Sequence, residues 1–311
     1  MDLPASVHLR EVAPRDGFQS LSRVLKTEEK VRIIAALIRA GVRELETTSF
    51  VHPHAVPQLA DAPVLMAQVP RAGVTHAALV PNLTGAKRAV AAAVDQVVVV
   101  ISASETHNRA NVHSSTAASV AELDDIFALT RGPGVGVMGA IAVAFGCPYE
   151  GDVSLAHVLR LAAAFDAHRA AGVILADTAG MATPKQVDTV VKSFRDHFPR
   201  LRLGLHFHNN RGTAMANLLA ALLAGADLFD TALAGIGGCP NIPQAAGNLP
   251  SEDVACMLAA MGVATGVDVD AVLEAARLLE ALVGCTLPGQ VLRSGPRLAQ
   301  HAAAVCGKRT W

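Results

Sequence analysis

Two histidines one residue apart, His206 and His208 in LGLHFHNNRG, follow a short apolar run. Side chains on a strand alternate with period two, so both imidazoles leave the same face. Such a pair chelates only if other ligand types converge on it. By itself it reads as readily as two hydrogen-bonded polar residues where a strand surfaces. Asp16, in PRDGFQS, offers a carboxylate, and Asn248, in AAGNLPSED, an amide oxygen. Two imidazoles with a carboxylate and an amide suit a divalent ion, with Mg²⁺ or Mn²⁺ favoured. A structural zinc site is instead closed by tight ligands and usually uses cysteine. An octahedral ion held by roughly four protein ligands keeps about two positions for a substrate that chelates through two oxygens.

Other reactive side chains surround these. Arg15 precedes Asp16, and on a regular strand such neighbours face opposite sides; both reach one site only if the strand ends there, which Gly17 permits. A guanidinium at Arg15 would stabilise a developing enolate oxygen, or else form a rim salt bridge to Glu11 or Glu46. Cys239 lies in GIGGCPNIPQAAGN, where the glycines suggest a movable loop and the thiol a proton donor or acceptor. Cys256, Cys285 and Cys306 read as small hydrophobes, and Cys147 in FGCPYEG stays undecided.

The elements that must position these residues recur along the chain. VHLREVAP, VRELETTSF, VTHAALVP, QVVVVISAS, VGVMGAIAVAF, VILADTAG, LRLGLHFH and DLFDTALAG read as strands, nearly continuous in apolar residues as in a sheet covered on both faces. Between them lie helices. One opens on Thr27 as N-cap and stops at Gly41, another has Pro184 just inside its start, and a third ends at Gly225. The repetition predicts an α/β fold, a (β/α)8 TIM barrel over residues 1–265, followed by a C-terminal helical extension over 266–311 that packs on the barrel. That extension holds DVDAVLEAARLLEALVG and PRLAQHAAAV as helices. A doubly wound sheet would show a glycine-rich phosphate loop after the first strand, and EVAPRDGFQS is not one.

Barrel chemistry gathers at strand ends. Those positions carry Arg15, Asp16 and Gln19, then Glu46 and Ser49, Asn82, Ser104 with Glu105 and His107, Asp177 and Thr178, His206 and His208, and finally Cys239, Asn248 and Glu252. With a net charge of −1 and 4% aromatics, neither nucleic acid nor an anionic membrane is an expected partner. No leader-like stretch opens the chain, and its apolar runs are too short to span a bilayer. The cysteines number 5, are widely spaced and form no CxxC pair, so a reducing, cytoplasmic setting is expected.

Taken together, PRDGFQS, ETTSFVHPHAVPQLAD, LVPNLTGAKRAV, SASE, FGCPYEG, ADTAGMATP, HFHNNRGTAMANLLAAL and GIGGCPNIPQAAGNLPSED resemble the hydroxymethylglutaryl-CoA lyase family of metal-dependent TIM-barrel lyases and Claisen-type synthases. The resemblance spans residues 7–285. It implies retro-Claisen cleavage of a 3-hydroxy-3-methyl acyl-CoA, HMG-CoA giving acetyl-CoA and acetoacetate, by a homodimer or higher homo-oligomer. It places the metal ligands on Asp16, His206, His208 and Asn248, the catalytic arginine on Arg15, the loop cysteine on Cys239 and further acids on Glu46, Asp177 and Glu252. Gln19, Ser49, Asn82, Ser104, Thr178 and Arg211 are the expected substrate-binding positions. The chain departs from the family's usual HxHDTYGQ at Asn209, Asn210 and Arg211, and also at Phe18, Ser20 and Ala176. Extra Arg211, His107 and Arg109 would suit another acyl group, such as citramalyl, or extra negative charge. The rivals are a citramalate- or isopropylmalate-type synthase, which the cysteine in GIGGCP opposes, and a non-catalytic metal-binding barrel.

Overall fold

A computed structural model describes residues 3–238 and 247–296 of the protein. Cys239, Cys306 and nearly all of the helix expected over PRLAQHAAAV lie outside the described residues. Its strands are β1 (His8–Glu11), β2 (Glu44–Ser49), β3 (Thr75–Val80), β4 (Gln96–Ser102), β5 (Gly136–Ala142), β6 (Gly172–Asp177), β7 (Leu203–Phe207) and β8 (Leu228–Thr231). Each pairs in parallel with the next, and β8 returns to β1, closing a (β/α)8 TIM barrel.

The helices form where apolar spacing and end signals agree. Thr27–Arg39 buries Ile33, Ile34 and Leu37 on one face. Thr27 is its first residue and not its cap: Lys26 holds the cap position, and its backbone N–H donates to the Glu29 carboxylate. The Thr27 hydroxyl donates instead to Asp61. Pro184–His197 starts as its sequence suggests, with proline in the first turn and the Thr183 hydroxyl accepting from the Gln186 N–H. Val269–Val283 packs Val272, Leu273, Ala276 and Leu279 inward and lies against Thr27–Arg39. Among the described residues no helix is long and apolar enough to cross a membrane.

Most of the core lies between the strands and the helices, while Ala77, Val98, Met138, Ile174 and Leu228 form a separate buried cluster. Neighbouring strands are registered so that Arg10 lies opposite Asp230, Asp230 opposite His206, and His206 opposite Ala176. With the period of two, those four side chains share the barrel interior. The register slips between Glu46 and Thr48 on β2, an irregularity of the kind that re-aims side chains beside a site.

Candidate active site

A cavity of about 550 Å³ is lined by residues from every strand or the loop that follows it. β1 ends at Glu11, and Ala13–Gly17 then makes one wide π-type turn. Pairing has stopped before Arg15 and Asp16, so these neighbours reach the same cavity, as the strand-end condition required. Asp16, His206 and His208 each bring a ligand atom to within 4.8 Å of the others. All are buried, at 5%, 7% and 3% exposure. The ring nitrogens His206 Nε2 and His208 Nε2 lie 3.0 Å apart.

Asn248 arrives from beyond β8. Its amide Nδ2 donates to Asp16 Oδ2 at 2.6 Å and to the Ile236 carbonyl at 3.0 Å, while its buried Oδ1 has no hydrogen-bond partner among the described residues. An orphaned acceptor beside a carboxylate and two imidazoles forms a donor set that a divalent cation would satisfy. The donor set therefore fits a divalent ion. Close approach here needs Gly237: a Cβ on it would stand 2.1 Å from Asn248 Nδ2 and 2.8 Å from Asp16 Oδ2, and its φ is +132°.

Charge pairing dominates the floor. Arg15 Nε donates to Glu46 Oε1 at 2.5 Å and Arg15 Nη1 to Asp16 Oδ1 at 2.8 Å. The salt-bridge partner is thus Glu46 and not Glu11, which turns the other way to accept from the Ala13 and Leu233 N–H groups and the Ser251 hydroxyl. Burial opposes ionisation of Asp16, yet Arg15, His208, His206 and the Asn248 hydrogen bond together hold it well below the usual carboxylate range. Asp230 is also buried, but Arg10 and His206 keep it ionised, with its pKa at about 2. For His206, burial disfavours the cation and is outweighed by Asp230 and Asp16, which raise its pKa.

Of the expected site residues, Arg15, Asp16, Gln19, Glu46, Asn82, Thr178, His206 and His208 line the cavity. Asn82 and Thr178 are partly committed, accepting from the Gly85 and Val143 N–H groups. Ser49, Ser104, Asp177, Arg211 and Glu252 are off its wall. Ser104 caps the helix Glu105–Val112. Asp177 Oδ1 accepts from the Met181 and Ala182 N–H groups and so braces the loop after β6, while burial pushes its pKa up to about 6. Arg211 donates to the carbonyls of Ala179 and Gly180, tying the loop after β7 to the loop after β6. Glu252 sits behind the floor, accepting from the Ala234 N–H.

Sequence reasoning passed over Arg10 and Asp230. Both line the cavity at 2% and 3% exposure and bind each other through paired hydrogen bonds. Their signal was present in VHLREVAP and DLFDTALAG: a charge at an inward position of a short strand is buried by closure of the barrel and needs an opposite charge next to it.

Proteins with the same fold and substantial sequence similarity include lyases. An HMG-CoA lyase from Bacillus subtilis is 40% identical over 294 residues, covering 94% of this chain and 98% of that protein. An (R)-citramalyl-CoA lyase from Chloroflexus aurantiacus is 39% identical over 302 residues, covering 94% and 95%. A solved HMG-CoA lyase from Acinetobacter baumannii, in complex with coenzyme A and 3-methylmalate, is 38% identical and superposes with a TM-score of 0.93 over 96% of this chain and 97% of that one. The HMGL-like family model spans residues 6–279, and with relatives this similar over nearly their whole length the chain belongs to the HMGL-like family.

Proposed function

We propose that the protein is a divalent-metal-dependent lyase that cleaves a 3-hydroxy-3-methyl acyl-CoA by a retro-Claisen step, with HMG-CoA, giving acetyl-CoA and acetoacetate, as its leading substrate. The observation that carries this reading is the convergence of Asp16, His206 and His208 at the floor of the cavity, with the unpartnered Asn248 Oδ1 beside them. These residues would hold Mg²⁺ or Mn²⁺. When bound, such an ion acidifies the tertiary hydroxyl and fixes the hydroxyl and carboxylate oxygens in place.

The chain's own residues account for the remaining chemistry. Asp16 takes the hydroxyl proton as the oxygen becomes a carbonyl, because His206 has both ring nitrogens committed, Nδ1 to Asp230 and Nε2 to the ion. The C2–C3 bond breaks, and its electron pair moves onto the thioester as an enolate. Arg15, held by Glu46, donates to the enolate oxygen. A proton returns to C2 from the thiol of Cys239, which follows β8 in the sequence. Gln19, Asn82 and Thr178 contact the substrate from the cavity wall. Asp177, Glu252, Ser104 and Arg211 hold backbone groups of the loops on which the contacting residues sit, while the buried Ser49 hydroxyl has no hydrogen-bond partner among the described residues. A cytoplasmic setting and a homodimer or higher oligomer belong to the same reading.

The citramalyl-CoA lyase among the relatives makes a citramalyl group the second candidate. Incubating Mg²⁺- or Mn²⁺-loaded protein with HMG-CoA, citramalyl-CoA and longer 3-hydroxy-3-methyl acyl-CoAs, with products identified by mass, tests the assignment. Acetoacetate released from HMG-CoA, lost on chelation and restored by the ion, is the expected result. Cleavage of another substrate alone would move the substrate and keep the mechanism. No cleavage across the panel would favour a binding barrel.

A further inference from the structure

An unbroken run of contacts crosses the cavity floor, and its two ends are two of the proposed metal ligands. His206 Nδ1 lies 3.0 Å from Asp230 Oδ2. Asp230 accepts from Arg10 Nε at 2.8 Å and Nη2 at 2.7 Å. The same Nη2 reaches Glu46 Oε2 at 3.2 Å. Glu46 accepts from Arg15, and Arg15 donates to Asp16. Strand register enforces the first links, because Asp230 on β8 lies between Arg10 on β1 and His206 on β7.

A neutral imidazole carries one proton. For His206 to offer the Nε2 lone pair, that proton must sit on Nδ1. An ionised carboxylate only accepts, so Asp230 at Nδ1 selects that tautomer. Arg10 in turn grips both oxygens of Asp230 with its planar fork, a geometry that a lysine cannot reproduce. Burying so many charges is a poor route to stability, since desolvation offsets most of their attraction.

We propose that Arg10 and Asp230 are positioning residues: Asp230 fixes His206 in the tautomer whose Nε2 binds the divalent ion, and Arg10 orients Asp230 and Glu46 together. A single buried guanidinium thereby sets His206 at one end of the run and Arg15 and Asp16 at the other. The proposal rests on the metal reading above and adds to it residues that need not touch substrate.

The test uses Mn²⁺ as the probe, without substrate. Its binding to wild type, Asp230→Asn and Arg10→Lys is measured by electron paramagnetic resonance of the free ion, with circular dichroism confirming that each variant is folded. Asparagine is isosteric, but it can present a donor to Nδ1. Asp230→Asn is expected to bind Mn²⁺ about 10- to 100-fold more weakly, with Arg10→Lys weakened in the same direction by less. A second measurement reads the tautomer directly: long-range ¹H–¹⁵N spectra of the metal-free protein at alkaline pH. These should give His206 Nδ1–H in wild type and a shift toward Nε2–H in Asp230→Asn, an outcome that a merely structural ion pair would not produce. Unchanged Mn²⁺ affinity and tautomer in both variants would overturn the proposal. Wild-type protein that bound no Mn²⁺ would overturn it together with the metal reading. Wild type that binds Mn²⁺, with the variants weakened, yet cleaves no acyl-CoA, would overturn the lyase reading and leave this proposal standing.

Discussion

The two halves of the barrel mouth use the same architecture for opposite purposes. On β1, β2, β7 and β8 the cavity-facing positions carry Arg10, Glu46, His206 and Asp230, joined by Arg15 and Asp16 on the turn after β1. On β3 to β6 they carry Leu79, Val98, Val100, Ala140, Ala142, Ile174 and Ala176. Both halves alternate with period two, and they differ above all in residue type; the charged side chains on the strands are buried, while Leu79, Ala140 and Ala176 are half-buried. The apolar half needs no partners and leaves room where alanines replace larger side chains. The charged half needs every ion countered, and a single deletion there strands its neighbour in a desolvated place. In the proposed reaction one half would hold the reacting atoms in fixed positions, and the other would shape the space for the acyl group.

The largest expected effect comes from breaking the charged half at the group aimed at developing charge. Arg15→Met should lower kcat by about 10²- to 10³-fold, the loss seen when one donor to an oxyanion is removed, with a smaller change in KM. Steady-state kinetics on the cleaved acyl-CoA check it, and a rise in KM with kcat unchanged would assign Arg15 to substrate binding. The next effect concerns the layer behind the floor, where two carboxyl groups are buried without a cation to pair with them. Burial pushes Glu11 and Glu252 up from 4.5 to about 7. In the unfolded chain both acids lose their protons near pH 4.5, whereas the folded protein keeps them until about pH 7. The unfolded state therefore binds fewer protons across that window, and stability falls as pH rises through it, by at most about 1.4 kcal/mol per pH unit for each acid. Thermal unfolding followed from pH 5 to pH 8 should show the decline, and Glu252→Gln should flatten it. A midpoint that does not fall over this range, in wild type as in Glu252→Gln, would show that these acids are already ionised in the folded protein.

The same contrast explains what the sequence made legible. The barrel was readable because eight apolar runs, each followed by a helix, leave few alternatives. His206 and His208 stood out because two imidazoles at the end of an apolar strand are conspicuous, and Asp16 because Gly17 marks the strand's end. Thr27 reads as a cap in the sequence, but helix starts compete locally, and the Glu29 carboxylate accepting from the Lys26 N–H puts the cap one residue earlier. Arg10 and Asp230 were harder to find. Their importance depends on which strands become neighbours on closure, and β1 and β8 lie at opposite ends of the barrel sequence. Asp177 and Arg211 occupy strand ends like the true cavity residues, and only the loop conformations decide that they brace backbone groups instead.

Two predictions sharpen the apolar side of the comparison. Ala142→Leu should fill space between β4 and β6 and discriminate by size: KM rises about 10- to 200-fold for bulky substituents on the substrate's C3 and changes little for a methyl. Equal effects on both would mean that this wall does not contact the acyl group. The smallest effect is expected at His107, the buried polar exception in the apolar half. Its Nδ1 lies 2.8 Å from the Ser102 hydroxyl, its Nε2 has no partner among the described residues, and burial lowers its pKa, so it is a neutral ring. A neutral imidazole with one spare nitrogen is worth one hydrogen bond to an oxygen on the acyl group, about 0.5–1.5 kcal/mol. His107→Leu should therefore shift the ratio of kcat/KM between acyl groups with polar and apolar C3 substituents by about two- to tenfold toward the apolar ones. Folding should weaken by about 1–3 kcal/mol, because the buried Ser102 hydroxyl loses its partner on the ring. Competition assays with paired substrates measure that ratio. If it does not move, His107 belongs to the packing around Ser102, and the apolar half discriminates by shape alone.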